Sequence, residues 1–186
     1  MKSSLAQHRK GKSKATRTLR DPRPDVARKR LRECKNRRNA LEAIREIVSN
    51  LLGCEEMALL QRNGKHGQLS MIWSFGVEPK AFDPRYLLGN SAWSGVIAGN
   101  VYVNQGPAKA EISIEGRKAS ALVPIRFNNQ TAAVLVLLRL LPQKAKIDEL
   151  DRELFEVLSQ EAGKALFACV ASDSRDVKGR DEQALV

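Results

Sequence analysis

Cysteine, histidine and aromatic residues are scarce in this sequence. Its 186 residues include three cysteines, two histidines and nine aromatic residues, two of them tryptophan. Cys34, Cys54 and Cys169 are odd in number and show no CxxC spacing, which argues against a disulfide framework and a zinc site and fits a reducing compartment. His8 lies in a basic segment and His66 in a predicted turn, so no histidine triad or metal cluster is indicated.

Long apolar runs are absent as well. The longest, such as residues 132–138, fall far short of the ~20 residues that span a bilayer. The first 25 residues contain no apolar run that a secretion apparatus would read as a signal sequence. A hydrophobic content of 42% with 28% charged residues is typical of soluble globular proteins. We therefore expect a cytoplasmic protein without membrane insertion.

Acidic residues are nearly missing from the start of the chain. Residues 1–38 hold 15 Lys and Arg against 3 Asp and Glu, whereas residues 39–186 hold 17 against 18. Low apolar content predicts disorder up to Pro24, and like charges spaced i,i+4 predict that the helical stretch after it needs a partner to order. The predicted segments are a disordered basic arm (1–24), a basic helical extension (25–39), a folded domain (40–171) and a flexible polar tail (172–186).

The basic segment suggests three roles that the sequence leaves open. It can bind a polyanion such as nucleic acid non-specifically, dock onto an acidic protein surface, or act as a solubilising leader without a partner. Residues 1–38 contain no aromatic side chain to stack on bases, which argues against sequence-specific recognition. The predicted docking residues are Arg28, Lys29, Arg30, Arg32, Lys35, Arg37 and Arg38.

Hydrophobic periodicity predicts an α+β fold. Apolar residues at helical spacing predict a helix that Gly53 ends, and Asp148 with Asp151 forms a capping-box pattern that opens a final helix over residues 148–170. Between these helices, the pattern predicts strands over 56–62, 68–75, 101–103, 111–114, 119–127 and 131–140, with short helices over 82–88 and 91–98. We expect an antiparallel sheet of five to six strands packed against N- and C-terminal helices, with short helices and loops on its other face.

The terminal helices also suggest a homodimer. The apolar surface of the final helix is wider than one sheet contact requires, so part of it is free to face a second subunit. The predicted interface residues are Leu41, Ile44, Val48, Leu51, Leu154, Leu158 and Ala165.

Two stretches of the sequence resemble the GAF domain family. Residues 91–104 (SAWSGVIAGNVYVN) are similar to the family's short helix, turn and strand, with Asn104 where Asp is usual. Residues 119–125 (ASALVPI) and 131–140 (TAAVLVLLRL) are similar to its central hairpin, with Ala133 where Gly is common. The resemblance covers residues 40–170 and implies the GAF-like α+β fold described above.

A GAF-like fold implies a pocket between the sheet and its loop-helix face. By position in the family pattern, the lining residues would be Trp73, Phe75, Trp93, Ser94, Val103, Asn104 and Ser120. An indole ring can stack on a flat ligand, although a Trp in a small domain also serves simply as core.

The sequence predicts a non-catalytic protein without a cofactor. One GAF branch, the free methionine sulfoxide reductases, uses cysteines in the loops over the pocket, and none of the three cysteines lies there. We expect a signalling or regulatory module that binds a small ligand or a protein partner, as a homodimer, with the basic arm for docking. The alternative is a nucleic-acid-associated accessory protein in which the arm binds polyanions and the core dimerises.

Overall fold

The computed structural model describes residues 21–63, 68–78, 91–104, 113–114, 117–144 and 146–168. Within these ranges no helix combines the length and the apolar content needed to cross a membrane. Of the predicted disordered arm (1–24), residues 1–20 lie outside the described residues, as do the polar tail and the short helix over 82–88. Arg23 and Pro24 instead begin a helix.

Two helices and a π-helical turn form the N-terminal part. They are α1 (Arg23–Arg32), α2 (Arg37–Glu46) and the turn Ile47–Leu51. The side chain of Asn36 accepts a hydrogen bond of 2.8 Å from the backbone N–H of Asn39, which caps α2. The predicted basic extension is therefore divided into a separate helix and the first turn of the next.

The central sheet has five antiparallel strands. They are β1 (Cys54–Asn63), β2 (Gln68–Phe75), β3 (Tyr102–Val103), β6 (Ala121–Phe127) and β7 (Gln130–Leu140), in the order β2-β1-β7-β6-β3. A separate pair is formed by β4 (Ser113–Ile114) and β5 (Arg117–Lys118), and the remaining helices are α3 (Ser91–Ile97) and α4 (Glu149–Phe167). The predicted α+β class and antiparallel sheet are confirmed.

Alternating side chains of the strands build one core on each face of the sheet. On β1, Met57 and Leu59 point to the face covered by α2 and α4, whereas Ala58 and Leu60 point to the face covered by α3. Strands β6 and β7 alternate in the same way, as the two-residue period of a strand requires. The sheet is thus buried on both sides, which accounts for the near-continuous apolar sequence of β7.

Helix α1 packs on α4 of the same chain. Ala27 and Leu31 are fully buried in the core cluster of the helix face. The side chain of Arg32 contacts Glu161 of α4, with an Nη2 to Oε1 distance of 2.6 Å. Exposed ion pairs contribute at most about 1 kcal/mol, so burial of the apolar residues stabilises this contact more than the ion pair does. The partner that the basic helix needs is therefore supplied by α4.

A reciprocal pair of hydrogen bonds starts α4. The Asp148 side chain accepts from the Asp151 backbone N–H at 2.9 Å, and the Asp151 side chain accepts from the Asp148 N–H at 2.9 Å. The predicted capping box is confirmed. The hydrogen bond from the Asp151 N–H is the largest cause that lowers the pKa of Asp148 below its usual 3.8.

The lowered pKa of Asp148 gives an expected acid dependence of stability. The pKa of Asp148 is lower in the folded protein than in the unfolded chain. The stabilisation is therefore present at pH values above the unfolded-state pKa and is lost as the pH falls through the folded-state pKa. Asn is as good an N-cap as Asp but does not titrate. We expect the free energy of unfolding of Asp148→Asn at neutral pH to lie within about 1 kcal/mol of the wild-type value. In acid, the free energy of unfolding of this variant should fall less steeply than that of the wild type.

Urea unfolding from neutral pH down to about pH 2 measures this difference. An equally steep acid fall in both proteins would show that the titration of Asp148 does not contribute.

Candidate functional site

Four of the residues predicted to line one pocket lie at opposite edges of the sheet. Trp73 and Phe75 are on β2, whereas Val103 is on β3 and is followed by Asn104. These two strands are the opposite edges of the five-stranded sheet, four strand spacings or roughly 19 Å apart. The structure therefore does not gather the seven residues around one cavity.

A β-bulge also turns Trp73 and Phe75 to the other face of the sheet. The register of β1 with β2 shifts between Leu59 and Leu60, which leaves Ile72 as an extra residue. Trp73 is consequently opposite Leu59 and packs with the core of the helix face. The guanidinium of Arg45 on α2 lies 5.3 Å from the centre of the Phe75 ring. Simple alternation along β2 would place both side chains on the α3 face with Leu69 and Met71, but the inserted residue inverts every later side chain.

Trp93 is a core residue of the α3 face. Its exposed fraction is 6%, and it belongs to the buried cluster that includes Val96 and Leu122. Its neighbour Ser94 points to the exposed side of α3. Of the two roles open to this Trp, the structure shows the packing role.

Ser120 and Asn104 are held together at the β3 edge. The Asn104 N–H donates to the Ser120 carbonyl at 3.0 Å, and the Ser120 hydroxyl donates to the Leu138 carbonyl at 2.7 Å. Ser120 borders a shallow depression of about 500 Å³ that also contains Lys118 and an ion pair between Glu56 and Arg139 with a distance of 3.2 Å. Of the seven predicted lining residues, Ser120 is the one that borders this depression.

Most of the predicted docking cations are engaged within the chain. Arg30 pairs with Glu46 at 2.9 Å, Arg28 with Asp25 at 2.9 Å, and Lys29 with Glu33 at 3.9 Å. Arg32 pairs with Glu161, and Arg37 donates to Gln61 at 3.2 Å. Lys35 and Arg38 are exposed. A polyanion would therefore compete with intrachain carboxylates for several of these side chains.

The predicted dimer residues pack inside one chain. Ile44, Val48, Leu154, Leu158 and Ala165 are buried in the core of the helix face, and Leu41 and Leu51 are half-buried against it. The apolar width of α4 is explained by its contacts with the sheet, α1 and α2. An interface made by these side chains would require the helices to leave their own core.

The two described cysteines differ in exposure. Cys54 is buried, its Sγ donates to the Glu56 carbonyl at 3.2 Å, and burial raises the pKa of its thiol to about 11. Cys34 is half-exposed. Across the described ranges, no group of three or more His, Cys, Asp or Glu side chains is placed to hold a metal ion.

We expect iodoacetamide at about pH 8 to alkylate Cys34 in the folded protein and to leave Cys54 unmodified, because the thiolate is the reactive form. Peptide mass mapping of the native protein measures each site, with guanidinium-unfolded protein as the control in which both react. Equal modification of both cysteines in the native protein would contradict the buried state of Cys54.

A buried carboxylate joins three parts of the chain that the sequence did not connect. Asp151 has no exposed surface, and its Oδ1 lies 2.8 Å from Lys144 Nζ and 3.5 Å from Arg23 Nη1. The same Nη1 donates to the carbonyl of Leu51 at 3.0 Å. The capping-box pattern identified Asp151 as a cap, but Arg23 is 128 positions away and no local pattern indicates such a pair.

Comparison with known proteins agrees with this architecture. The GAF domain model matches residues 36–166, which is more than half of the chain. Comparison with curated proteins found no match.

Similar solved structures have the same fold at low sequence identity. The GAF domain of an Acinetobacter phosphoenolpyruvate-protein phosphotransferase is 12% identical, with a TM-score of 0.57, over 80% of this chain and 93% of that one. The GAF domain of the corresponding Coxiella burnetii protein is 14% identical, with a TM-score of 0.54, over 82% and 95%. A segment of a methyl-accepting chemotaxis protein is 14% identical, with a TM-score of 0.54, over 81% and 99%. The family model and the antiparallel sheet between helical layers lead to one assignment: the chain belongs to the GAF domain family.

Proposed function

We propose that this protein is a non-catalytic regulatory module whose GAF domain binds a small ligand or a protein partner and passes the binding event to its terminal helices. GAF domains are regulatory and sensory modules of signalling proteins, and similar folds occur in a chemotaxis protein and in phosphotransferase proteins.

The observation that carries this proposal is the close contact between α4 and the sheet. Gly163 of α4 faces the backbone of Arg126 on β6 so closely that a Cβ there would overlap the Arg126 carbonyl oxygen. Two backbones in direct contact have no flexible side chain between them to absorb a displacement. A small movement of β6 must therefore move α4.

Helix α1 extends this connection to the basic segment. It packs on α4 through Ala27 and Leu31 and is paired with Glu161 by Arg32. A ligand that favours one position of α4 would shift the docking equilibrium of α1, and with it the presentation of the N-terminal cations.

Native mass spectrometry of the purified full-length protein, followed by a thermal-shift screen of small molecules, tests ligand binding. Hydrogen exchange with and without a ligand so identified tests the output, and we expect changed protection in α1 and α4. Binding that leaves the exchange of both helices unchanged would overturn the regulatory role. If no ligand is found, pull-down with the full chain tests the protein-partner branch, and failure of both would overturn the proposal.

We also propose a homodimer through the outer face of the helix layer. Val26 on α1 and Leu150 on α4 are large apolar side chains that stay 55% and 45% exposed. Analytical ultracentrifugation of the wild type and of Val26→Glu/Leu150→Glu tests this surface. A dimer that the double variant converts to monomer supports it, and a monomeric wild type or a dimer unchanged by the substitutions contradicts it.

Polyanion binding is the second candidate, and the charge of residues 1–38 favours it. Binding to nucleic acid should weaken steeply with salt and disappear when those residues are deleted. Retained binding in the deletion variant would exclude the basic segment as the contact.

A further inference from the structure

A second cleft lies at the hairpin end of the sheet, away from the β3 edge. It has a volume of about 760 Å³, within the range of small-molecule sites. Its walls are the end of α3, the β6–β7 hairpin and the second half of α4.

Three of its lining side chains are cations contributed by three different elements. Arg62 comes from the end of β1, Arg126 from β6 and Lys164 from α4. Among the described lining residues, Glu161 is the one carboxylate, and it is held by Arg32 at 2.6 Å and Arg28 at 3.9 Å. Since those two arginines belong to α1 and do not line the cleft, they compensate the charge of Glu161 from outside. The cations of the cleft are left in excess.

One of these cations is fixed in place by the fold. The Nη2 of Arg126 donates to the Gly99 carbonyl at 2.7 Å, at the turn that follows α3. Gly99 has a φ of +101°, and a Cβ at this position would lie 2.9 Å from the same Nη2, so glycine allows the close approach. A guanidinium has five N–H donors, so one bond to Gly99 orients the group and leaves donors for a ligand.

The hairpin adds neutral donors next to the cations. Asn128 and Asn129 form its turn with φ values of 50° and 60°, a conformation that Asn tolerates better than most residues. Their amides and that of Gln130 line the cleft. A ring of guanidinium, ammonium and amide donors matches the oxygens of a phosphate group.

We propose that this cleft binds a small phosphate-bearing molecule, with Arg62, Arg126 and Lys164 as its charged contacts. The inference goes beyond the regulatory role proposed above, because it concerns a different surface and stands if that role is wrong. Glu161 lines the cleft and also holds α1, so the site adjoins the helix contact through which a signal would pass.

Titration of the isotope-labelled full-length protein with sodium pyrophosphate, followed by amide NMR, locates the binding. We expect the amides of Gly99 and of residues 128–131 to shift together and to saturate. Shifts confined to residues 1–38, or none, would overturn the proposal, because the basic segment attracts any polyvalent anion. A parallel titration with citrate tests the phosphate assignment, and equal affinity of citrate at the same amides would overturn it.

Variants with matched charge complete the test. Arg62→Gln/Lys164→Gln removes two exposed cations of the cleft, and we expect pyrophosphate to bind about tenfold more weakly. Lys146→Gln/Arg152→Gln removes the same charge in the turn before α4 and in its first turn, and we expect affinity within about twofold of the wild type. Equal weakening in both double variants would show that only net charge matters and would overturn the site.

Discussion

Gly163→Ala is expected to lower the free energy of unfolding by about 3 kcal/mol or more. The new Cβ would overlap the carbonyl oxygen of Arg126 and lie 2.7 Å from its carbonyl carbon. Both atoms belong to the backbone of a central-sheet strand, so they cannot move aside as a flexible side chain does. The strain must be relieved by separating α4 from β6, which also opens the core of the helix face. Urea unfolding followed by circular dichroism measures the loss.

Gly95→Ala in α3 is the matched control, with the opposite expected sign. Among the described residues, a Cβ there meets only Asn100 Nδ2, at 3.9 Å, and the backbone is already helical. Since Ala is the better helix former, the free energy of unfolding should rise by about 0.5–1 kcal/mol. Equal stability of the two variants would contradict the close backbone contact between Gly163 on α4 and Arg126 on β6.

Sequence periodicity was sufficient for the central strands and the final helix because β1, β6, β7 and α4 are long, with 10, 7, 11 and 19 residues. The alternation on β1, β6 and β7 follows the buried residues on both faces, and the capping box places the start of α4 correctly. The bounds of β2 were predicted as well, but the bulge at Ile72 is a property of the pairing with β1. No residue in β2 itself indicates that bulge, so the face to which Trp73 and Phe75 point could not be predicted from the sequence.

Periodicity also identifies an apolar helix face without identifying what covers it. The predicted dimer residues Leu154 and Leu158 have the spacing of an interface seam, yet α1 and the sheet of the same chain bury them. The packing role of α1 was not predicted because half of its residues are basic and its buried residues are the small Pro24 and Ala27 and one Leu, Leu31. The hairpin cleft was missed for a related reason, since its cations are far apart in sequence.

Asp151→Ala is expected to destabilise the protein by about 3–5 kcal/mol, which is the range measured when one partner of a buried ion pair is removed. The substitution leaves Lys144, whose side chain is 18% exposed, without its carboxylate contact at 2.8 Å. It also removes the acceptor for the Asp148 N–H and the anion beside Arg23, so the start of α4 and the start of α1 are both loosened.

Two comparisons separate the causes of this loss. Asp25→Ala removes a carboxylate that is 56% exposed and pairs with Arg28, and it should cost less than about 1 kcal/mol. Asp151→Asn keeps an oxygen for the Asp148 N–H but removes the charge between Lys144 and Arg23. If Asn restores most of the stability, the hydrogen-bond acceptor dominates. If Asn is nearly as destabilising as Ala, the cost comes from the unpaired cations. A loss in Asp151→Ala no larger than that in Asp25→Ala would contradict a buried network that ties α1, α4 and the turn before β1 into one unit.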